Sequence, residues 1–243
     1  MRPEAQKIRE RFLAVGERIS QAERRAGRPE GSVKLVVVTK GQPVEVAQAA
    51  VDAGARLLGE NYAEEALPKM AVLAGVPGLE WHMIGHVQSR KAKLVATHFD
   101  WVHSVDSLEL ARRLDSMAGQ SGRRMPVLLE VNIGGEQSKS GWPAWDPEQW
   151  PDLLPHFASI AGLAYLIPQG LMVMPPYTDR GEENRRYFLL AERLRDYLAE
   201  RLPEARWDEL SMGTSIDFEV AVEEGATYVR IGEAILGPRP KSR

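Results

Sequence analysis

Two features of the sequence are suited to chemistry. The first is Lys40, which closes the run Lys34-Leu-Val-Val-Val-Thr-Lys40. A lysine whose stem is held by buried valines keeps its amine partly desolvated. That lowers the amine pKa and leaves a nucleophile for a carbonyl carbon. A solvated loop lysine would fit the same position. The second feature is the pair of turns Ser211-Met-Gly-Thr-Ser215 and Gly232, rich in glycine and hydroxyl groups. Backbone N–H groups in such turns bind anions, although ordinary turn and N-cap chemistry uses the same residue types. An amine nucleophile and a phosphate cradle together suit a phosphorylated carbonyl compound: pyridoxal phosphate, or a sugar phosphate.

These residues need a frame that brings them together. Ile8, Phe12, Val15 and Ile19 recur at helical spacing over the first 25 residues, and Gly27 with Pro29 ends that helix. The chain then alternates. Strands are expected at 34–38, 56–58, 79–84, 101–103, 127–131, 170–174, 208–211 and 227–231. Helices are expected between them at 44–53, 63–73, 89–97, 108–118, 147–160, 184–201 and 216–224. Several of the strands are short continuous apolar runs of the kind buried on both faces of a parallel sheet. Gly54 is placed to end the second helix at C′ and Ser107 to cap the one at 108–118. Pro68 should disturb the helix it sits in, and Pro151 and Pro155 should interrupt the one at 147–160. Eight strands alternating with helices predict an α/β fold, a (β/α)8 TIM barrel with an extra N-terminal helix. A doubly wound open sheet is the alternative. No linker or low-complexity segment divides the chain, so residues 1–243 read as one domain.

In such barrels chemistry sits at the carboxyl ends of the strands, and polar residues collect there. In strand order they are Thr39 and Lys40, Glu60 and Asn61, His82 and His86, Ser104 and Asp106, then Asn132 with Ser138, Lys139 and Ser140. Met172 and Met174, Ser211 to Ser215 with Asp217, and Arg230 with Gly232 complete the rim. His82 and His86 have the i,i+4 spacing that suits a metal on a helix, but here it spans a strand end and a turn, and no metal is expected. Trp142, Trp145 and Trp150 stand among prolines and read as packing or a partner surface.

Composition narrows the classes. The chain has 243 residues, a formal net charge of -3, 44% hydrophobic residues and no cysteine. There is no basic stretch dense enough for a nucleic-acid footprint, and no disulfide, thiolate nucleophile or cysteine-held zinc is available. No apolar run approaches the ~20 residues that span a bilayer, and the charged N-terminus is unlike a signal peptide. A cytoplasmic location is the expectation.

In order along the chain stand VVVTK (36–40), GENY (59–62), WHMIGHVQSRK (81–91), HSVDS (103–107) and EVNI (130–133). SKSG (138–141), GLMVM (170–174), SMGTSID (211–217) and VRIGEAILG (229–237) follow. This series resembles the YggS/PROSC family of pyridoxal phosphate homeostasis proteins over nearly the whole chain. The resemblance implies a barrel like the N-terminal domain of alanine racemase, with pyridoxal phosphate bound as a Schiff base to Lys40. It implies that Ser211, Gly213, Thr214, Ser215 and Gly232 hold the phosphate. Arg230 would lie near the pyridine nitrogen, and Asn61 and His82 would line the pocket. Three positions depart from the family's usual pattern: Arg90 replaces a common asparagine, Thr214 a common methionine, and Glu233 a small residue beside Gly232.

An arginine stays protonated, so Arg230 would leave the ring nitrogen unprotonated and the cofactor a poor electron sink. The sequence also ends soon after the eighth strand, where alanine racemase has a further domain and a partner subunit that complete its site. An open site short of one acid–base group is therefore expected. The resulting expectation is a monomeric carrier with no residue in a catalytic role, which buffers pyridoxal phosphate and delivers it to pyridoxal-phosphate-dependent apo-enzymes. It would bind neither nucleic acid nor membrane. Alternatives are a racemase-like enzyme of low activity acting on amino acids, a Schiff-base aldolase, and an interaction protein that uses the cofactor as a structural or sensing ligand.

Overall fold

A computed structural model describes residues 3–239. After helix α1 (Pro3–Arg25) the chain alternates between strand and helix: β1 (Lys34–Val38), α2 (Val44–Ala53), β2 (Leu57–Glu60), α3 (Ala63–Leu73), β3 (Glu80–Met83), α4 (Ala92–His98), β4 (Trp101–Val105), α5 (Leu108–Gln120) and β5 (Met125–Asn132). There follow a two-residue strand β6 (Trp142–Pro143), α6 (Leu154–Ala161), β7 (Leu166–Val173), α7 (Arg185–Arg201), β8 (Glu209–Ser211), α8 (Phe218–Glu223), β9 (Tyr228–Ile231) and α9 (Glu233–Leu236). Every strand pairing is parallel, in the order β4-β3-β2-β1-β9-β8-β7-β5, and β4 also pairs with β5, which closes the ring. The protein is thus the expected (β/α)8 barrel with an N-terminal helix. The short β6 hangs on β5 outside the ring.

The valines of β1 show why the barrel closes. Val36 and Val37 are fully buried and take opposite sides of the strand, one toward the barrel interior and one toward the helical layer. Helices α1, α5 and α7 bury single stripes against the sheet: Ile8, Val15 and Ile19, then Leu110, Leu114 and Met117, then Phe188, Ala191, Leu194 and Leu198. Each leucine or phenylalanine so covered contributes roughly 1.5–3 kcal/mol.

Local chemistry sets the ends of the elements. Ser107 Oγ accepts from the Leu110 N–H, as a cap should, and Gly54 adopts φ 119° at the end of α2. Pro68 does not break α3, contrary to expectation. Both Pro68 and Glu64, whose carbonyl loses its helical donor, are exposed residues. The segment expected as one helix at 147–160 is a 3-10 stretch (Pro147–Leu153) running into α6, so Pro151 and Pro155 do divide it. Trp142 and Trp150 are packing residues whose indole N–H groups donate to the carbonyls of Val105 and Ala144.

The barrel interior is more polar than its valine-rich strands suggest. At its amino end Lys34 Nζ lies 2.6 Å from Glu209 Oε1 and 3.1 Å from the Tyr228 hydroxyl. Above them His82 and His103 cross edge to face beside Trp101. This column supports the floor of the mouth.

Candidate functional site

The carboxyl ends of the strands surround a cavity of about 470 Å³, in the ordinary range for a small-ligand site. Lys40 enters it from the turn after β1, and Asn61 from the turn after β2. Gly85 and His86 enter after β3, Glu130 from β5, Met172 from β7 and Met174 just after it. Thr214 and Ser215 follow β8, and Arg230 and Gly232 close the ring from β9. Six of the nine residues expected to hold a ligand therefore share one wall: Lys40, Asn61, Thr214, Ser215, Arg230 and Gly232.

The other three do not line the cavity. His82 and Ser211 are fully buried within the barrel, below the mouth. Ser211 Oγ accepts from Arg230 Nη1 at 2.6 Å and is 2.9 Å from His103 Nδ1; His103 Nε2 is 2.9 Å from His82 Nδ1. One assignment satisfies the chain: Arg230 donates to Ser211, Ser211 to His103, and His103 to His82. Burial lowers the pKa of both histidines, His103 well below the usual value, so both are neutral links. Gly213 serves through its backbone. Its carbonyl accepts from the Arg230 N–H, its φ is +92°, and a Cβ there would stand 2.6 Å from the Ala221 Cβ. Ser211 and Gly213 thus reach the mouth through Arg230, which also donates to the Val173 carbonyl. Arg230 is buried, and desolvation lowers its pKa to about 10, so it remains charged at neutral pH.

Lys40 is braced from beneath. Lys69, buried on α3, donates to the Thr39 carbonyl at 2.7 Å and to Glu60 Oε1 at 2.6 Å, while the Thr39 hydroxyl donates to the same oxygen at 2.6 Å. Burial pushes the Glu60 carboxyl up against the lowering pull of Lys69 and Thr39. Desolvation, with the charges of Arg239 and Arg230 adding to it, lowers the pKa of Lys40. A lowered lysine amine is what attack on a carbonyl requires.

The anion side of the mouth is built by the turns after β8 and β9. The Thr214 N–H and hydroxyl are tied to Asp217 Oδ1 at 2.6 and 3.0 Å, and the Ala234 N–H donates to Ser215 Oγ at 3.3 Å. Arg239, outside the expected set, joins Lys40 and Gly232 on this wall. Glu233, an exposed residue, lines it too. Asn61 Oδ1 is buried against the cavity without a hydrogen-bond partner, an acceptor free for a ligand donor. Gly85 permits this placement, since a Cβ there would lie 2.6 Å from the Asn61 backbone.

Glu130 was not singled out from the sequence. It faces the cavity from β5, and burial pushes its carboxyl up to about 7, with Asp106 adding to the rise. On the rim His86 Nδ1 pairs with Asp106 Oδ2 at 2.8 Å.

Comparison with known proteins agrees with this fold. The family described as alanine racemase, N-terminal domain, matches residues 13–240. The pyridoxal phosphate homeostasis protein of Pseudomonas aeruginosa is 42% identical over 233 residues, which cover 96% of each chain. PipY of Synechococcus elongatus, solved with PLP bound, superposes with a TM-score of 0.80 at 37% identity, covering 95% of this chain and 100% of that one. Alanine racemase of Clostridium difficile shares the fold at 17% identity, with a TM-score of 0.68 over 93% of this chain and 59% of that one. By its match to the family model and its near full-length identity to these relatives, this chain belongs to the family of the pyridoxal phosphate homeostasis proteins.

Proposed function

We propose that this protein binds pyridoxal phosphate as a Schiff base on Lys40, buffers the reactive aldehyde in the cell and passes it to pyridoxal-phosphate-dependent apo-enzymes. The carrying observation is that Lys40 and the turns at Thr214-Ser215 and Gly232 open onto one cavity. The donor set fits the cofactor. Lys40 supplies a desolvated amine for the aldehyde, the Ser215 hydroxyl with the backbone at 215 and Gly232 supplies donors for the phosphate, and Asn61 Oδ1 offers a free acceptor. The relatives named for pyridoxal phosphate homeostasis, and PipY solved with PLP bound, support the same ligand.

The cofactor supplies an electron-withdrawing ring and a carbonyl carbon. The protein's residues orient it and hold protons. Arg230, fixed by Ser211 and the Val173 carbonyl, is assigned to the ring nitrogen. Its charge at neutral pH disfavours a proton there and so disfavours carbanion chemistry. Carriage fits such a site better than racemisation. His82, Ser211 and Gly213 act here as supports for Arg230 rather than as ligands to the cofactor.

A transfer assay tests the reading in a cytoplasmic-type buffer. Protein loaded with pyridoxal phosphate is mixed with an apo-aminotransferase, and the recovered transaminase activity is followed. Deuterium exchange at the α-carbon of several amino acids is measured in parallel. The carrier reading expects reactivation and exchange no faster than free pyridoxal phosphate gives. Exchange at ordinary enzyme rates, abolished in Lys40→Ala, would establish the racemase-like alternative. We assign the carrier a monomeric state, to be checked by sedimentation with and without cofactor.

A further inference from the structure

In a closed ring of eight strands, β5 lies four places from β1 in either direction. The ends of these strands therefore face one another across the mouth, with Lys40 on one side and Glu130 on the other. The cations of the mouth, Lys40, Arg230 and Arg239, enter from the β9 and β1 side and the segment that follows. Glu130 is the acid of the opposite wall.

The surroundings of Glu130 leave its charge without a direct partner among the described residues. From the turn after β4 it is faced by Asp106, which repels it, and from the turn after β3 by His86, which attracts it but is paired with Asp106. From β9 Arg230 attracts it, but three of the guanidinium N–H groups go to Ser211 Oγ, the Val173 carbonyl and Met174 Sδ and none of its hydrogen bonds goes to Glu130. From β7 its register partner is the apolar Met172. No hydrogen bond contributes to its state. A half-buried carboxylate without a protein partner carries part of the cost of a buried charge, and a ligand cation would offset it.

We propose that Glu130 forms a subsite for a primary ammonium group on the wall opposite Lys40, and that its carboxylate takes one proton from that group. The proposal rests on the reading of Lys40 as the cofactor anchor. A carbonyl carbon held by an amine is released either to water or to a second amine, and a second amine reaches it only after shedding its ammonium proton. The step is a proton transfer: ammonium and carboxylate become neutral amine and carboxylic acid, no electrons are exchanged, and the amine nitrogen gains a free pair. A carboxyl with a pKa near neutrality, and not the ordinary carboxylate value, is suited to hold that proton and return it. A divalent metal is a poorer occupant, since the described residues hold no cluster of three ligating side chains. The ammonium could belong to a free amino acid or to a lysine side chain of a recipient protein.

Two measurements on wild type and Glu130→Gln test this. The first is binding of glycine and of Nα-acetyl-lysinamide to cofactor-free protein at pH 8, read by saturation-transfer NMR. The second is amine-driven release of pyridoxal phosphate from the loaded protein between pH 5.5 and 9, read by absorbance. Expected are amine binding that Glu130→Gln abolishes and release at least tenfold slower in the variant at pH 8. The wild-type to variant ratio should rise through pH 7, where Glu130 ionises. A faster release by one of the two amines identifies the free amino acid or the lysine side chain as the source. Equal binding and equal release in both proteins would overturn the subsite. Borohydride fixation on Lys40 is recorded on the same samples. If wild type fails to fix the cofactor, the anchor reading fails, and ammonium binding to the cofactor-free protein alone then decides for or against Glu130.

Discussion

Lys69 reaches across from α3 to donate to the carbonyl of Thr39 at 2.7 Å, one residue before Lys40. The same ammonium pairs with Glu60 at the end of β2, so the backbone that carries Lys40 is fixed by a buried ion pair. Removing one partner of such a pair leaves a lone buried charge. Lys69→Met is therefore expected to cost about 3–5 kcal/mol. The double variant Lys69→Met, Glu60→Gln leaves no charge unpaired and should be less destabilised. Urea unfolding of the three proteins checks the order; a double variant less stable than Lys69→Met would contradict it.

Ser211 serves Arg230 and His103 at once. Ser211→Ala leaves a buried guanidinium donor and a buried imidazole nitrogen without a partner, at roughly 1–3 kcal/mol. Pyridoxal phosphate should still be fixed on Lys40, with a shifted absorbance spectrum because Arg230 is no longer held. An unchanged spectrum and an unchanged melting temperature would remove Ser211 from the support.

The Glu130 carboxyl titrates near pH 7 when folded and at its ordinary value of 4.5 when unfolded. Between those values the folded state holds more protons, so this group's contribution to stability falls as pH rises from 4.5 to 7 and is level on either side. In cofactor-free protein, Glu130→Gln should gain up to about 3 kcal/mol over wild type at pH 8 and almost nothing at pH 4. Chemical denaturation at the two pH values reads this directly. A gain that is equal at both would place the carboxyl's pKa at its ordinary value.

Glu233 sets a carboxylate beside Gly232 on the wall assigned to the phosphate. Glu233→Thr should tighten pyridoxal phosphate by about tenfold, near 1.4 kcal/mol, and leave the unphosphorylated aldehyde pyridoxal unaffected. Equilibrium titration with the two compounds separates the phosphate from the ring. Equal changes for both would take Glu233 away from the phosphate.

Much of this was legible in the sequence because buried parallel strands announce themselves. Lys34 to Val38 reads as a strand and is one, and Lys40 falls where barrel chemistry belongs. The start of β7 was hidden by Pro168, which sits beside the shift in its register with β5, where a missing donor is tolerated. β6 is two residues long and carries no pattern. Glu130 was passed over because a carboxylate within an otherwise apolar strand shows its direction only once the barrel fixes which side is inward. Lys69 carries no signal in the sequence; only the packing of α3 puts it under Thr39. The resemblance implies His82 on the pocket wall and Ser211 on the phosphate. Their burial one layer deeper follows from the height of their strands in the barrel, which spacing along the chain does not reveal.

The central claim is that Lys40 anchors pyridoxal phosphate. The direct test is intact mass after incubation with pyridoxal phosphate and borohydride reduction, followed by peptide mapping, with Lys40→Ala alongside. The account predicts a mass increase of one reduced pyridoxal phosphate, located on Lys40 and absent from the variant. An unmodified wild-type protein, or a cofactor fixed equally well in Lys40→Ala, would contradict it.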